Sequence, residues 1–195
     1  MCSGISIRKW GMKMNEVLKT IKERRSVRAY TDRQLSRDEL DLIIEAGLYA
    51  PSARNEQPWY FTVVQNRALL DEINKKTNEV MAGTDNERLK GYGNNPSFRA
   101  SYNAPTVIVV SARENAVSAQ TDCSAAIENM MLAARSIGIG SVWVGLLWPY
   151  LSLHDARETL QIPDGYKPLH AVAFGYAEGE QMTAPERRKD VVNYI

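Results

Sequence analysis

The stretch TVIVVSARENAVSAQTDCSAAIENMMLAARSIGIGSVWVGLL, residues 106–147, decides the architecture. It opens on a continuous run at 106–111 rich in β-branched residues, the pattern of a strand buried on both faces. Ala119–Ser136 is apolar almost all round its helical wheel, through Ala125, Ala126, Ile127, Met130, Met131, Leu132 and Ala133. A helix with so little polar face belongs in the interior. Gly138 and Gly140 then lead into a second buried strand at 139–147. Enclosed strands separated by an enclosed helix imply a layered sheet sandwich, α/β or α+β.

Working outward, residues 169–176 read as a last buried strand, preceded by a short helix with Ser152 and Asp155 as its cap. The tail carries Arg187, Arg188 and Lys189 and then a strand-like 191–195. That final segment has no partner in its own sequence neighbourhood, and another subunit's sheet edge is one physical solution. Towards the N-terminus, Trp59–Val64 reads as a strand and Asn66 as the cap of the helix after it. Residues 83–103 are polar, with three glycines, and read as a mobile excursion or lid. Ser36 with Glu39 forms a capping box, and that helix must stop near Tyr49 because Pro51 follows. Residues 15–22 form a short amphipathic segment through Val17, Leu18 and Ile21.

Composition narrows the function. A formal net charge of +1 over 195 residues gives no bulk attraction to nucleic acid or to a membrane surface. No apolar run approaches the roughly 18 residues that cross a bilayer. Residues 1–13 lack a signal-peptide core and read as an extension to a single domain at 14–195, placed in the cytoplasm. Cys2 and Cys123 form neither a disulfide framework nor a metal spacing, and Cys123 reads as a packing residue. No metal centre is expected.

Four groups of residues could carry chemistry. Arg24, Arg25, Ser26 and Arg28 place three guanidiniums and a hydroxyl within five residues, which suits either a phosphate or a solvated helix end. Arg187 and Arg188 are a second basic pair, a solvated tail or the other half of one anion site. The loop Pro51, Ser52, Ala53, Arg54, Asn55, Glu56, Gln57, bounded by Pro58, is a stiff polar turn able to read the edge of a heterocycle, or an ordinary surface turn. At Trp143, Val144 and Gly145 a flat ligand could approach the backbone closely; otherwise the glycine serves packing. Walker, GxGxxG, HExxH and GxSxG patterns are absent, and His154 and His170 have no evident triad partners. No catalytic acid or base is assigned, which leaves the chemistry to a cofactor.

The order Arg24-Arg25-Ser26-Val27-Arg28, a capped helix, then 50–59 as APSARNEQPW, resembles the start of a nitroreductase-family flavoprotein. Asn103-Ala104-Pro105 before a strand and GIGSVWVG at 138–145 continue the likeness. The resemblance implies an α+β three-layer sandwich with a mixed or antiparallel central sheet. It also implies a homodimer exchanging C-terminal strands, with FMN at the subunit interface and NAD(P)H as co-substrate. Arg24, Ser26, Arg28, Arg187 and Arg188 would meet the FMN phosphate, ribityl chain or pyrimidine edge, and Arg25 would serve through its backbone. Pro51, Ser52, Ala53, Asn55 and Gln57 would reach the flavin from the partner subunit. The backbone at Trp143, Val144 and Gly145 would face the ring. The activity implied is hydride transfer to nitroaromatics, quinones or similar small acceptors. Within the superfamily, flavin storage, reductive dehalogenation and flavin fragmentation are the alternatives.

Overall fold

The computed structural model describes residues 14–180 and 182–195. Cys2 and the extension at 1–13 lie outside the described residues. In chain order the elements are α1 (Glu16–Glu23), α2 (Arg37–Leu48), β1 (Trp59–Val64), α3 (Arg67–Ala82), α4 (Glu87–Gly93), β2 (Thr106–Arg113), α5 (Ala119–Ser136), β3 (Gly140–Trp143), α6 (Trp148–Leu151), α7 (Ala156–Thr159) and β4 (Tyr166–Gly175).

The strands form one sheet in the order β1-β2-β4-β3, antiparallel at every pairing, so the fold is α+β. Strand β2 alternates strictly between two cores. Val107 and Val109 join Leu70 and Ile73 of α3 and Tyr150 of α6. Ile108, Val110 and Ala112 join Ile43 of α2 and Cys123, Ile127 and Met130 of α5. The sheet is therefore the middle of three layers, which is why 106–111 carries no polar face. Ile43, Ile127 and Met130 are completely enclosed. Each contributes about 1.5–3 kcal/mol relative to exposure. Helices α2 and α5 come together where Gly47 leaves room, since a Cβ there would stand 2.8 Å from Met130 Cγ.

Local signals act as read from the sequence. Ser36 and Asn66 cap α2 and α3, and Ser36 with Glu39 completes the capping box; Asn15 caps α1 as well, a role not read from the sequence. Three readings are corrected. Asp155 precedes α7 without capping it, because its carboxylate accepts from Lys76 Nζ at 2.8 Å. Residues 83–103 are not an open excursion. They hold α4, whose Gly93 packs on the α3 backbone so closely that a Cβ would stand 2.3 Å from Ala82 N. They also contain buried Ala100 and Ser101, the latter donating from its N–H to Asn74 Oδ1 at 3.1 Å. The strand read at 139–147 stops at Trp143, because Gly145–Leu147 make a single helical turn.

Candidate functional site

The segment 24–28 leaves α1 and runs across one end of the sheet. Val27 donates its N–H to Ser141 O at 3.0 Å, and Ser26 and Ser141 form a parallel bridge. Farther on, Thr31 donates to Tyr176 O at 2.9 Å and Glu178 to Ala29 O at 3.0 Å. Two glycines permit this approach. A Cβ on Gly140 would stand 2.8 Å from Val27 Cγ2, and one on Gly175 would meet Pro105 and Tyr30. Both are packing glycines.

The two basic patches meet. Arg24, Arg25, Ser26 and Arg28 line one concavity of about 210 Å³ with Met182, Thr183, Pro185 and Arg187. Their guanidiniums are held differently. Arg24 faces Glu128 of α5 at 3.5 Å, and Arg25 donates to the carbonyls of Lys22 and Arg24 at 2.8 and 2.6 Å. Among the described residues, the hydrogen bonds of Arg28 and Arg187 go to backbone oxygens alone, at 3.5 and 3.4 Å. Arg188 is paired with Asp190 at 3.1 Å and does not line the concavity. Arg187 is therefore the member of the tail pair with donors to spare.

Strand β3 is the sheet edge beside this basic end. From Ser141 it leads to Trp143, half-buried against the His170 ring at 4.9 Å, and then to Val144. Val144 commits its N–H to Ala171 O at 2.8 Å. Gly145 opens a single helical turn, exposed, with open space where a Cβ would stand. As first residue of the turn its N–H has no partner inside it. The sequence left packing as the ordinary role of Gly145; the packing glycines are instead Gly140 and Gly175. His170 is half-buried, and burial holds its imidazole pKa below the ordinary value.

The model of the Nitroreductase family matches residues 21–176. The chain belongs to the nitroreductase family. A protein from Archaeoglobus fulgidus with the provisional name NADH dehydrogenase/NAD(P)H nitroreductase is 40% identical over 86% of this chain and 89% of its own. The crystal structure of a nitroreductase with bound FMN from Bacteroides fragilis superposes with a TM-score of 0.87 at 37% identity, over 93% of this chain and all of that one. A second nitroreductase with bound FMN, from Desulfitobacterium hafniense, gives 0.84 at 30% identity, over 94% of this chain and all of that one.

The other nitroreductase motif lies elsewhere in the chain. Residues 51–57 form a tight turn with Arg54, Asn55 and Gln57 in the left-handed region, at φ 54, 56 and 44°. Ser52 Oγ accepts from Gln57 N at 3.0 Å, and Gln57 Nε2 donates to Asn55 Oδ1 at 3.0 Å. Ala53 N donates at 3.1 Å to Asp122, a carboxylate 4% exposed in the first turn of α5. Asp122 was not singled out from the sequence; an acid opening an otherwise apolar helix was the available signal. The loop sits at the end of the sheet marked by Arg113, whose N–H donates to Pro58 O. The basic segment sits at the end marked by Thr106, which pairs with Phe174 beside Ser141. Seven strand rises separate Thr106 from Arg113, about 23 Å. Within one chain the basic cluster and the polar loop do not meet.

Proposed function

We propose that the protein is an FMN-dependent oxidoreductase that carries hydride from NAD(P)H to small electron-poor acceptors such as nitroaromatics and quinones, by a ping-pong cycle. The observation that carries this reading is the concavity where Arg24, Arg28 and Arg187 converge beside Ser26. A phosphate monoester carries nearly two negative charges at neutral pH, and guanidinium forks suit its oxygens. From Ser141 the chain of β3 leads about 13 Å, four residues at ordinary rise, to the exposed backbone at Gly145. A ligand with a phosphate at one end and a flat heterocycle at the other fits this linear order.

Bound FMN would supply a ring that accepts a hydride equivalent and yields it again. The chain's own part is to bind and orient. Arg24, Arg28 and Arg187 hold the phosphate, Ser26 adds a hydroxyl, and Arg25 shapes the segment by bracing the end of α1. Trp143 and buried Val144 would fix the backbone that faces the ring. The Gly145 N–H is the amide free to donate to a ring atom on which charge develops.

In this reading the unit is a homodimer. The polar loop stands too far along the sheet to serve its own chain's arginines, and a two-fold partner would bring its Pro51, Ser52, Ala53, Asn55 and Gln57 to that end. Two exposed apolar surfaces support the assembly: Val17, Leu18 and Ile21 on α1, and Val191, Val192, Tyr194 and Ile195 in the tail. The tail would cross to the partner as its exchanged segment.

The test is a visible spectrum of purified protein under anaerobic conditions, before and after NADH or NADPH and then a nitroaromatic. Flavin bands that bleach and return are expected. A protein that is colourless and does not take up added FMN would overturn the reading.

A further inference from the structure

Asn103-Ala104-Pro105, part of the family likeness, has had no task in the site so far. It follows a turn in which Tyr102 and Asn103 are both left-handed, at φ 57 and 55°. Asparagine tolerates that region, whereas a bulky aromatic residue is seldom found there. The turn is held from several sides. Tyr102 donates its N–H to Arg99 O at 2.9 Å and Ala104 to Ser101 O at 3.1 Å. Buried Ser101 is clasped by Asn74, whose Nδ2 donates to Ser101 Oγ at 2.8 Å. Pro105 packs where Gly175 has no side chain. Such over-determination keeps a strained residue in place, and strain of this kind gathers where a side chain must point one way.

The Tyr102 ring lies 5.8 Å from the Arg28 guanidinium carbon, within cation–π reach. The only polar contact of Arg28 among the described residues is a long one to Ser26 O. Tyr30, buried beside both, has its phenol pushed above the ordinary value chiefly by burial, then by Tyr102, with Arg28 pulling the other way.

We propose that Tyr102 is a positioning residue for the flavin phosphate site, its ring steering the otherwise loose Arg28 guanidinium into the basic concavity before ligand arrives. The inference rests on the placement of Arg28 in that site. The benefit is preorganisation: a long arginine side chain restrained beforehand loses less rotamer freedom on binding. The choice of residue follows, since glycine would satisfy the backbone and only an aromatic ring satisfies Arg28.

The test compares binding of FMN and of riboflavin, which lacks the phosphate, by flavin fluorescence. Tyr102→Leu keeps apolar bulk and should weaken FMN about three-fold, the scale of an exposed cation–π contact. Riboflavin affinity should not move. Tyr102→Phe keeps the ring and should bind FMN as wild type does. Tyr102→Gly relieves the left-handed backbone, so the chain should be no less folded by circular dichroism, yet FMN should weaken at least as much as in Tyr102→Leu. In an Arg28→Ala background, Tyr102→Leu should add nothing. Wild-type FMN affinity in Tyr102→Leu, or an equal loss for riboflavin or without Arg28, would overturn the proposal while leaving the site intact. FMN affinity unchanged by Arg28→Ala would overturn the placement of Arg28, and the proposal with it.

Discussion

Gly140 and Val27 are in contact so close that a single added methyl on the glycine would stand 2.8 Å from Val27 Cγ2. The contact presses the arginine-bearing segment against the first residue of β3. Gly140→Ala should therefore push the segment outward, at a cost of roughly 1–3 kcal/mol from overpacking. Thermal unfolding monitored with and without FMN checks this. The variant should melt lower in both states and gain less from added FMN than wild type does. A normal response to FMN would show that the segment's position does not matter to the ligand.

The tail arginines should not be equivalent. Arg187 lines the concavity, and Arg188 is engaged with Asp190. Arg187→Ala is expected to weaken FMN by about ten-fold, the scale of one charge-assisted hydrogen bond. Arg188→Ala should change it by less than about two-fold, as for an exposed ion pair. Equilibrium dialysis of FMN against the two variants decides, and the reverse order would refute the assignment.

Asp122 holds the loop at 51–57 through Ala53 N. Removing it should release the loop and leave that N–H unpaired, at about 1.5–3 kcal/mol for a hydrogen bond to a charged group. Asp122→Asn keeps an acceptor oxygen and should lose less than Asp122→Ala in urea unfolding. Equal losses would mean that the carboxylate does not act through this bond.

The capping box carries a pH dependence. The Glu39 carboxyl accepts from the Tyr176 hydroxyl and from Ser36 N at 2.8 Å, with Arg33 stacked 3.9 Å from the Tyr176 ring centre. Its pKa is held below the ordinary 4.5, first by Tyr176 and then by the Ser36 backbone. A folded pKa below the unfolded one gives stability that is complete above pH 4.5 and lost as pH falls through the folded value. Tyr176→Phe should thus lower the melting temperature at pH 7, and the gap from wild type should close towards pH 3. The Tyr176 phenol is itself raised above 10.0, chiefly by the bond to Glu39. The gap should narrow again on the alkaline side once pH passes that value. A gap constant across the range would contradict this coupling.

The layers were legible because burial writes itself into composition. A six-residue run without a polar face belongs in the interior, and residues 106–111 sit there. The largely apolar Ala119–Ser136 buries one face, through Cys123, Ala126, Ile127, Met130, Met131 and Ala134, and leaves Gln120, Thr121 and Glu128 outside. Caps were legible for the same local reason, each depending on residues three apart. Strand direction was not. An all-antiparallel order with β4 between β2 and β3 depends on how the connections travel, and no local pattern encodes that. Residues 83–103 misled because their polarity reflects one solvent face, while Gly93 and Ser101 make contacts with α3 that only the folded chain reveals.

The candidate site was legible as two lists of residues and not as a shape. Clustered arginines announce an anion site wherever they fall. That Arg187 joins them, and that Arg188 does not, follows from where the tail crosses the sheet end. Asp122 and Tyr102 act through a backbone amide and a ring face, so neither forms part of a motif. That the basic cluster and the loop stand at opposite ends of β2, about 23 Å of strand, appears only once register is known, and it is the main reason for reading the site as shared between two chains.

Subunit complementation tests that claim most directly. Arg28→Ala/Arg187→Ala would disable the basic end, and Asn55→Ala/Gln57→Ala the loop; each variant alone should purify without flavin. Unfolded, mixed in equal amounts and refolded with FMN, half of the dimers should pair one of each. Such a dimer has one intact site, so the mixture should regain about a quarter of wild-type flavin, with bands that NADH or NADPH bleaches. A refolded mixture that is dimeric and still colourless would contradict the shared site.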